Sequence, residues 1–324
     1  MARTDTVERM VATDPGLPVD HDALVVGGGA AGLSAATFLA RYGFDTLVLA
    51  RGTSAIGQCA HLENYLGFPA GITPERFLTL GRTQVEHEGG TVREELVERV
   101  ERVDLGDQQT DADGGTPDSR SSTDADRGTP DSGGFSVESD NGTYRVRYVL
   151  AATAYDGDMF EPFADELETD DEHGMVDSDD GRTPIDGLYA AGWMTTETVH
   201  QAIVSAGHGA QAAISLIRDD LAARFWPAVA DHYVDWVVNE GRYGGDDWGG
   251  HTREWFEDDV LMDDVDDELA EAALDHLKSE FRAREIDADE HERRDHEGQR
   301  RLLDQLDDDV IREYADTIAT TEQS

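Results

Sequence analysis

The sequence predicts an α/β fold, a parallel sheet extended by an antiparallel β-meander and followed by a helical appendage. Three observations predict it. A short apolar run ending in glycines, Ala23 to Val26, precedes an alanine-rich helical pattern from Ala30 to Tyr42 and a second apolar run, Thr46 to Ala50. Strand, helix and strand within about 30 residues open a parallel sheet. A later stretch, Phe135 to Ala152, reads as two strands around the turn Ser139, Asp140, Asn141, Gly142, whose Asn-Gly pair favours a tight hairpin. Beyond Ala223 apolar residues recur at helical spacing instead.

The remaining elements follow in order. Thr73 and Pro74 supply the cap and first-turn residue of a helix over Glu75 to His87. Leu96 to Val103 and Asp186 to Gly192 have strand character, and Thr198 to Asp219 is an alanine-rich helix. Between the meander strands, DADGGTPDS (Asp111 to Ser119) and DADRGTPDS (Asp124 to Ser132) form a near-duplicate. Such a composition buries too little apolar area to offset the entropy of ordering, so residues 105–134 are expected to be a disordered insertion at a hairpin tip. Neither copy follows the twelve-residue, helix-flanked pattern of a calcium loop. Leu261, Val265, Leu269, Ala273, Leu277 and Phe281 recur every four residues, as do Leu306, Val310, Tyr314 and Ile318 after Leu303. The expected organisation is a tail (1–22), a nucleotide-binding domain (23–222) and an acidic helical region (223–324), folded over the first domain or against a second copy in a homodimer.

Composition narrows the function. The chain has 71 acidic against 26 basic residues, a formal net charge of -45, which speaks against nucleic acid as a partner. Residues 223–324 hold 31 acids and 11 bases, net -20, which leaves -25 for the first 222. Charge spread in this way reads as adaptation to a concentrated-salt cytoplasm, where at about 1 M salt the Debye length falls to ~3 Å. No targeting segment and no run near the ~18 apolar residues of a membrane span is found, so a cytoplasmic location without membrane association is expected. Cys59 is the only cysteine, which excludes an intramolecular disulfide or dithiol centre. His291 and His296, five apart in an acidic helix, have no recognised ligand spacing, and no metal is expected.

Gly27, Gly29 and Gly32 form G-x-G-x-x-G between the first strand and helix. The first permits a tight turn, the second lets the backbone approach a pyrophosphate, and the third lets the helix pack on the strand. The helix N-terminus then offers free amides and positive dipole to the phosphates. This is the Rossmann-type arrangement for a dinucleotide. The acid usual at the end of the second strand is absent, for Ala50 and Arg51 stand there. Arg51 suits an additional phosphate, so a phosphorylated nicotinamide cofactor stays open on the fingerprint alone.

Further segments resemble the thioredoxin reductase-like FAD-dependent oxidoreductases. TPIDGLYAAGW, Thr183 to Trp193, is similar to their second FAD fingerprint, which ends in Ala-Ala-Gly-Asp. ENYLGFPAGI (Glu63 to Ile72) resembles their Glu-Asn-Tyr-Pro-Gly-Phe-Pro segment, and GTYRVRYVLAAT, ending at Thr153, resembles the strand leading to Ala-Thr-Gly. HQAIVSAGHGAQAA (His200 to Ala213) is similar to their Arg-Gln-Ala helix. The resemblance covers residues 22–220 apart from the insertion, and implies FAD. By it, Gly27, Gly29 and Gly32 hold the pyrophosphate, Gln58, Asn64, Thr153 and Gly192 lie at the cofactor, and Gln201 and Ala202 present amides to the flavin.

Three departures stand beside these matches. Trp193 replaces the family's aspartate at the ribityl chain, and Ala154 replaces a glycine. The family's nicotinamide domain and its Cys-x-x-Cys, inserted between those landmarks, have no room here, because only 28 residues separate Ala154 from Thr183. The chain is therefore not a working thioredoxin reductase. Two residues are candidates for chemistry. Cys59 is either a thiol cycling through a sulfenic acid or mixed disulfide, or a small buried cysteine. His200, in place of the family's arginine, either relays a proton at the flavin or caps and packs the helix. His61 is a weaker candidate of the same kind, and the aromatic residues from Phe225 to Phe256 either cover the flavin or form core. The function expected is a flavoprotein oxidoreductase taking electrons from a diffusible small molecule or a separate redox protein. The alternative is a non-catalytic flavin-binding or regulatory protein derived from such an enzyme.

Overall fold

The computed structural model describes residues 19–105 and 133–321, apart from 53, 154–156, 168–175, 177, 179, 197–198 and 243–247. It divides into two compact units, residues 1–235 and 236–324. In the first unit, β1 (His21–Val26), α1 (Ala30–Tyr42) and β2 (Thr46–Leu49) form the expected opening, and α2 (Pro74–His87) and β3 (Thr91–Arg93) follow. β1 pairs in parallel with β2, and β2 with β3. α1 stops at Gly43, whose left-handed backbone (φ 110°) lets its N–H reach the carbonyls of Leu39 and Ala40. β3, only three residues long, was not expected from the sequence because it is too short to show a period.

β4 (Val97–Asp104), β5 (Gly133–Ser139) and β6 (Gly142–Ala151) make the antiparallel meander. The hairpin loop is Asp140 and Asn141, since Ser139 and Gly142 are already partners. β6 is shared: its first half pairs with β5, while its second half pairs in parallel with β7 (Leu188–Ala190) and, on the other edge, with β1. The parallel layer thus runs β3-β2-β1-β6-β7, and the meander branches from it.

Side-chain alternation divides the core into two sides. Ala23 and Val25 of β1, Val48 of β2 and Leu150 of β6 face α1 and the long helix α3 (Ala202–Arg224). Leu24, Val26, Leu47, Leu49 and Val149 face the meander, with Phe135, Val137, Met159, Phe160 and Phe163. α3 begins four residues later and ends five later than the sequence suggested, because Leu216, Ile217 and Leu221 continue its buried face. The composition break at Ala223 does not coincide with the unit boundary, because Ala230, just beyond α3 in the short helix α4 (Pro227–Asp231), and Tyr233 still pack into this core. Tyr233 meets Tyr42 edge to face at 5.5 Å. Phe225, Trp226 and Tyr233 are therefore core residues rather than a cover for the cleft.

The insertion expected at 105–134 lies outside the described residues except at its ends, and there the expectation is corrected. Leu105 is fully buried and Gly133 and Gly134 belong to β5, with Asp104 and Gly133 as partners. Both copies of the near-duplicate, Asp111 to Ser119 and Asp124 to Ser132, lie outside them.

The second unit holds a two-residue parallel pair, β8 (Val238–Asn239) with β9 (Glu285–Ile286), and helices α5 (Trp248–Asp259), α6 (Asp267–Arg284), α7 (Ala288–Leu303) and α8 (Asp308–Thr321). The every-fourth pattern starting at Leu261 does not mark one buried face. The break between α5 and α6 resets the helical register, and Phe256, Val260, Ala273, Leu274 and Leu277 are buried while Leu261 and Leu269 are exposed. Val310, Tyr314 and Ile318 of α8 are exposed too. No described helix is long and apolar enough to cross a membrane.

Candidate functional site

A cleft of about 780 Å³ opens where the parallel strands end. That is the general place for ligands in open α/β sheets, and its size is that of a small-molecule site. Val26 from the end of β1, Leu49 from β2, Thr153 after β6 and Trp193 after β7 contribute to its wall. All the residues lining it fall within the first unit.

Gly27, Gly28 and Gly29 line one end, between β1 and α1. A Cβ on Gly27, which has φ +114°, would lie 2.5 Å from the carbonyl oxygen of Ala152, so only glycine fits. Gly32 and Gly192 are not among the residues that line the cleft. Each is a packing glycine: a Cβ on Gly32 would come within 1.9 Å of the Gly27 carbonyl oxygen, and one on Gly192 within 2.8 Å of the Ala31 Cβ.

Two helix N-termini at the cleft lack both a side-chain cap and a first-turn acid, as does the short α4, which does not line it. α1 starts at Gly29 and α3 at Gln201 without a side-chain cap and without an acid in the first turn. By contrast Thr73, Asp266 and Asp287 cap α2, α6 and α7, each of which also has acids in its first turn. In a chain with net charge -45, these two ends keep their amides and positive dipole for a ligand. The residues that line the cleft and surround these ends fit an anionic dinucleotide.

Gln58, Cys59, His61, Asn64, Trp193, His200, Gln201 and Ala202 also line the cleft, so the structure brings these expected cofactor and catalytic candidates together. Asn64 Nδ2 donates to Gln201 Oε1 at 2.7 Å, joining the loop after β2 to the start of α3. Trp193 and His200 stack with ring centroids 4.4 Å apart and planes 37° from parallel. Thr153 lies in the wall and donates to Met194 Sδ at 3.2 Å. Cys59 is exposed, which removes its reading as a small buried cysteine. His61 Nδ1 stands 3.9 Å from Glu63 Oε1.

Near the end of β2 the site contains a group that the sequence reading missed. Glu95 lines the cleft yet is turned into the hairpin, accepting from Ser139 Oγ at 2.8 Å, Tyr144 OH at 2.8 Å and Asn141 Nδ2 at 3.2 Å. Burial alone would raise its pKa, but these hydrogen bonds outweigh it and hold the carboxyl below its ordinary value. Asp140 accepts from the Leu96 N–H and pairs with Arg51. Arg51 and Arg82 are the guanidinium groups in the wall. The signal for Glu95 was its place one residue before the strand Leu96 to Val103, which says nothing of a partner 44 residues away. Among the described residues no cluster of three or more His, Cys, Asp or Glu is set to hold a metal, and His291 and His296 are exposed on α7.

Fold and cleft together define a Rossmann-type domain with a meander, open to a dinucleotide at its strand ends. Residues 21–127 match the model of the pyridine nucleotide-disulphide oxidoreductase family, a third of the chain. Over 71 residues the chain is 37% identical to the thioredoxin reductase of Aquifex aeolicus (strain VF5), a match spanning 21% of this chain and 22% of that protein. The chain thus covers about a fifth of that relative's length. Solved structures of similar fold include a thioredoxin reductase from Gloeobacter violaceus, with TM-score 0.49 and 15% identity over 67% of this chain and 99% of that one. Another is the thioredoxin reductase of T. acidophilum, with TM-score 0.46 and 18% identity over 62% and 99%. Over residues 21–127 the chain is similar to that oxidoreductase family.

Proposed function

We propose that the cleft holds FAD and that the protein is a flavoprotein oxidoreductase whose electrons come from a diffusible donor or a separate protein. The observation that carries this reading is the pair of helix N-termini without cap or acid, α1 and α3, at one cleft. Gly27 and Gly29 let the backbone come close to a pyrophosphate, and the α1 amides bind its oxygens. The amides of Gln201 and Ala202, backed by the dipole of a 23-residue helix, favour negative charge on the ring system. FAD, when bound, supplies hydride and electron transfer. Gln58 and Asn64 orient it from the loop after β2, and Cys59 and His200 are the groups placed for thiol and proton chemistry. A donor from outside is favoured by the short stretch of 36 residues, 152–187, between β6 and β7, too little for a second nucleotide domain. The family resemblance over residues 21–127 supports the same reading.

The visible spectrum of the purified chain tests the first step: close to one FAD per chain is expected after addition of FAD, and no flavin absorbance would end the reading. Anaerobic titration with NADH, NADPH and a reduced redox protein tests the second, and bleaching of the flavin by at least one is expected. With flavin bound, Ile203→Glu, which puts an acid in the first turn of α3, is expected to lower the flavin midpoint potential. A second reading, a passive flavin binder, is favoured by Trp193 in the cleft wall and by the single thiol, and failure of every donor would select it.

A further inference from the structure

We infer that Trp193 and His200 form an aromatic shelf that receives the isoalloxazine ring, so that the ring is held by stacking. This deepens the FAD reading above and rests on it. Both residues line the cleft, and their rings stack at 4.4 Å. They come from different segments: Trp193 lies in the 3-10 turn Gly192–Met194 after β7, and His200 lies just ahead of α3. Trp193 is half-buried and His200 exposed, so a large indole is kept at the surface of a cleft instead of in the core. The shelf stands beside the uncapped N-terminus of α3 and the Asn64–Gln201 hydrogen bond. Its surroundings therefore combine an aromatic surface, the indole with an imidazole tilted 37° against it, with amide donors and acceptors at its edge. The matching ligand part is a planar heteroaromatic ring with polar atoms on its rim, a description met by isoalloxazine. The carboxylates in the wall are Glu63 and Glu95. Glu95 is engaged by the hairpin, and Glu63 is 84% exposed beside His61. Stacking then takes over the orientation of the ring that a buried acid would otherwise supply through the adjoining chain. His200 is a positioning residue in this arrangement, because it sets the plane of the indole.

The test compares full-length wild type, Trp193→Ala and Trp193→Phe in concentrated salt, titrated with FAD and with ADP, which shares the pyrophosphate but lacks the ring. Trp193→Ala is expected to weaken FAD binding about tenfold, Trp193→Phe by less, and neither to change ADP binding. Flavin fluorescence, quenched by the stacked indole in wild type, is expected to rise in both variants. Unchanged FAD affinity and emission in Trp193→Ala would overturn the shelf alone. Equal loss of FAD and ADP would make Trp193 a support of the fold and would also overturn it. Wild type binding ADP but no FAD would overturn the flavin reading and the shelf with it.

Discussion

Four glycines of the nucleotide loop and its neighbourhood carry different loads, although the sequence writes them alike. At Gly29 an added Cβ meets only the Ser54 hydroxyl, at 2.9 Å, and that side chain can turn away. At Gly32 it meets backbone at 1.9 Å, which cannot. Gly29→Ala is therefore expected to leave the melting temperature nearly unchanged while weakening FAD. Loss of one hydrogen bond to a charged phosphate costs about 1.5–3 kcal/mol, or tenfold and more in affinity. Gly32→Ala is expected to destabilise the fold by about 1–3 kcal/mol through overpacking. Thermal melting and FAD titration of the two variants side by side separate the effects, and a fall in melting temperature for Gly29→Ala would contradict the assignment. Gly192 belongs with Gly32, because Ala31 of α1 is already in contact distance, whereas Gly27 is fixed both by φ +114° and by Ala152.

At the scale of elements, the β5–β6 hairpin is held by one carboxylate. Glu95 gathers Ser139, Asn141 and Tyr144, while the neighbouring N–H of Leu96 reaches Asp140, so the turn is tied to the start of β4. The turn is the four-residue Ser139 to Gly142 expected from the sequence, with Asp140 and Asn141 as its loop. A carboxyl whose folded-state pKa lies below its unfolded value binds a proton less readily when folded. Its contribution is complete at neutral pH, begins to fade as pH falls below the ordinary value of 4.5 and is lost through the lowered folded value. Glu95→Gln is expected to be less stable than wild type at pH 7, with the difference shrinking in acid. Urea denaturation at pH 7 and at progressively lower pH checks this, and a difference that grows in acid would reverse the sign. The α1–α3 contact is the other determining element pair: Gly209 lets α3 approach so closely that a Cβ there would lie 2.0 Å from the Ala31 carbonyl oxygen. That approach brings the N-termini of both helices to one cleft.

For the whole molecule, charge dominates. A net charge of -45 on 324 residues opposes compaction, and only one of the basic residues is lysine. The exposed ion pairs of α7, Glu290 with Arg293 and Arg294 and Glu297 with Arg301, lie within single turns of one helix. Pairs of that kind contribute little and weaken in salt. Self-repulsion summed over the chain outweighs them, so raising KCl from about 0.1 M to 2 M, where screening falls to a few ångströms, is expected to raise the melting temperature. A melting temperature that falls across this series would show the pairs to be the larger effect.

What the sequence determined by itself is local. The strand, glycine loop and helix at Gly27 to Tyr42, the Thr73–Pro74 start of α2, with Thr73 Oγ1 accepting the Arg76 N–H, and the strand pair from Phe135 are fixed by φ preferences and periodicities within a few residues. Membership of the cleft was legible for Gln58, Asn64, Thr153, Gln201 and Ala202 because their motifs resembled a known family in the same order. The tertiary structure decided the rest: that Cys59 is exposed, that Gly192 packs against Ala31, that Glu95 anchors a hairpin, and that Trp193 stacks on His200. Each of these depends on segments far apart in the chain, as Asn64 and Gln201 are, 137 residues from one another. Such contacts arise from the closure of the whole core, and no window of neighbouring residues encodes them.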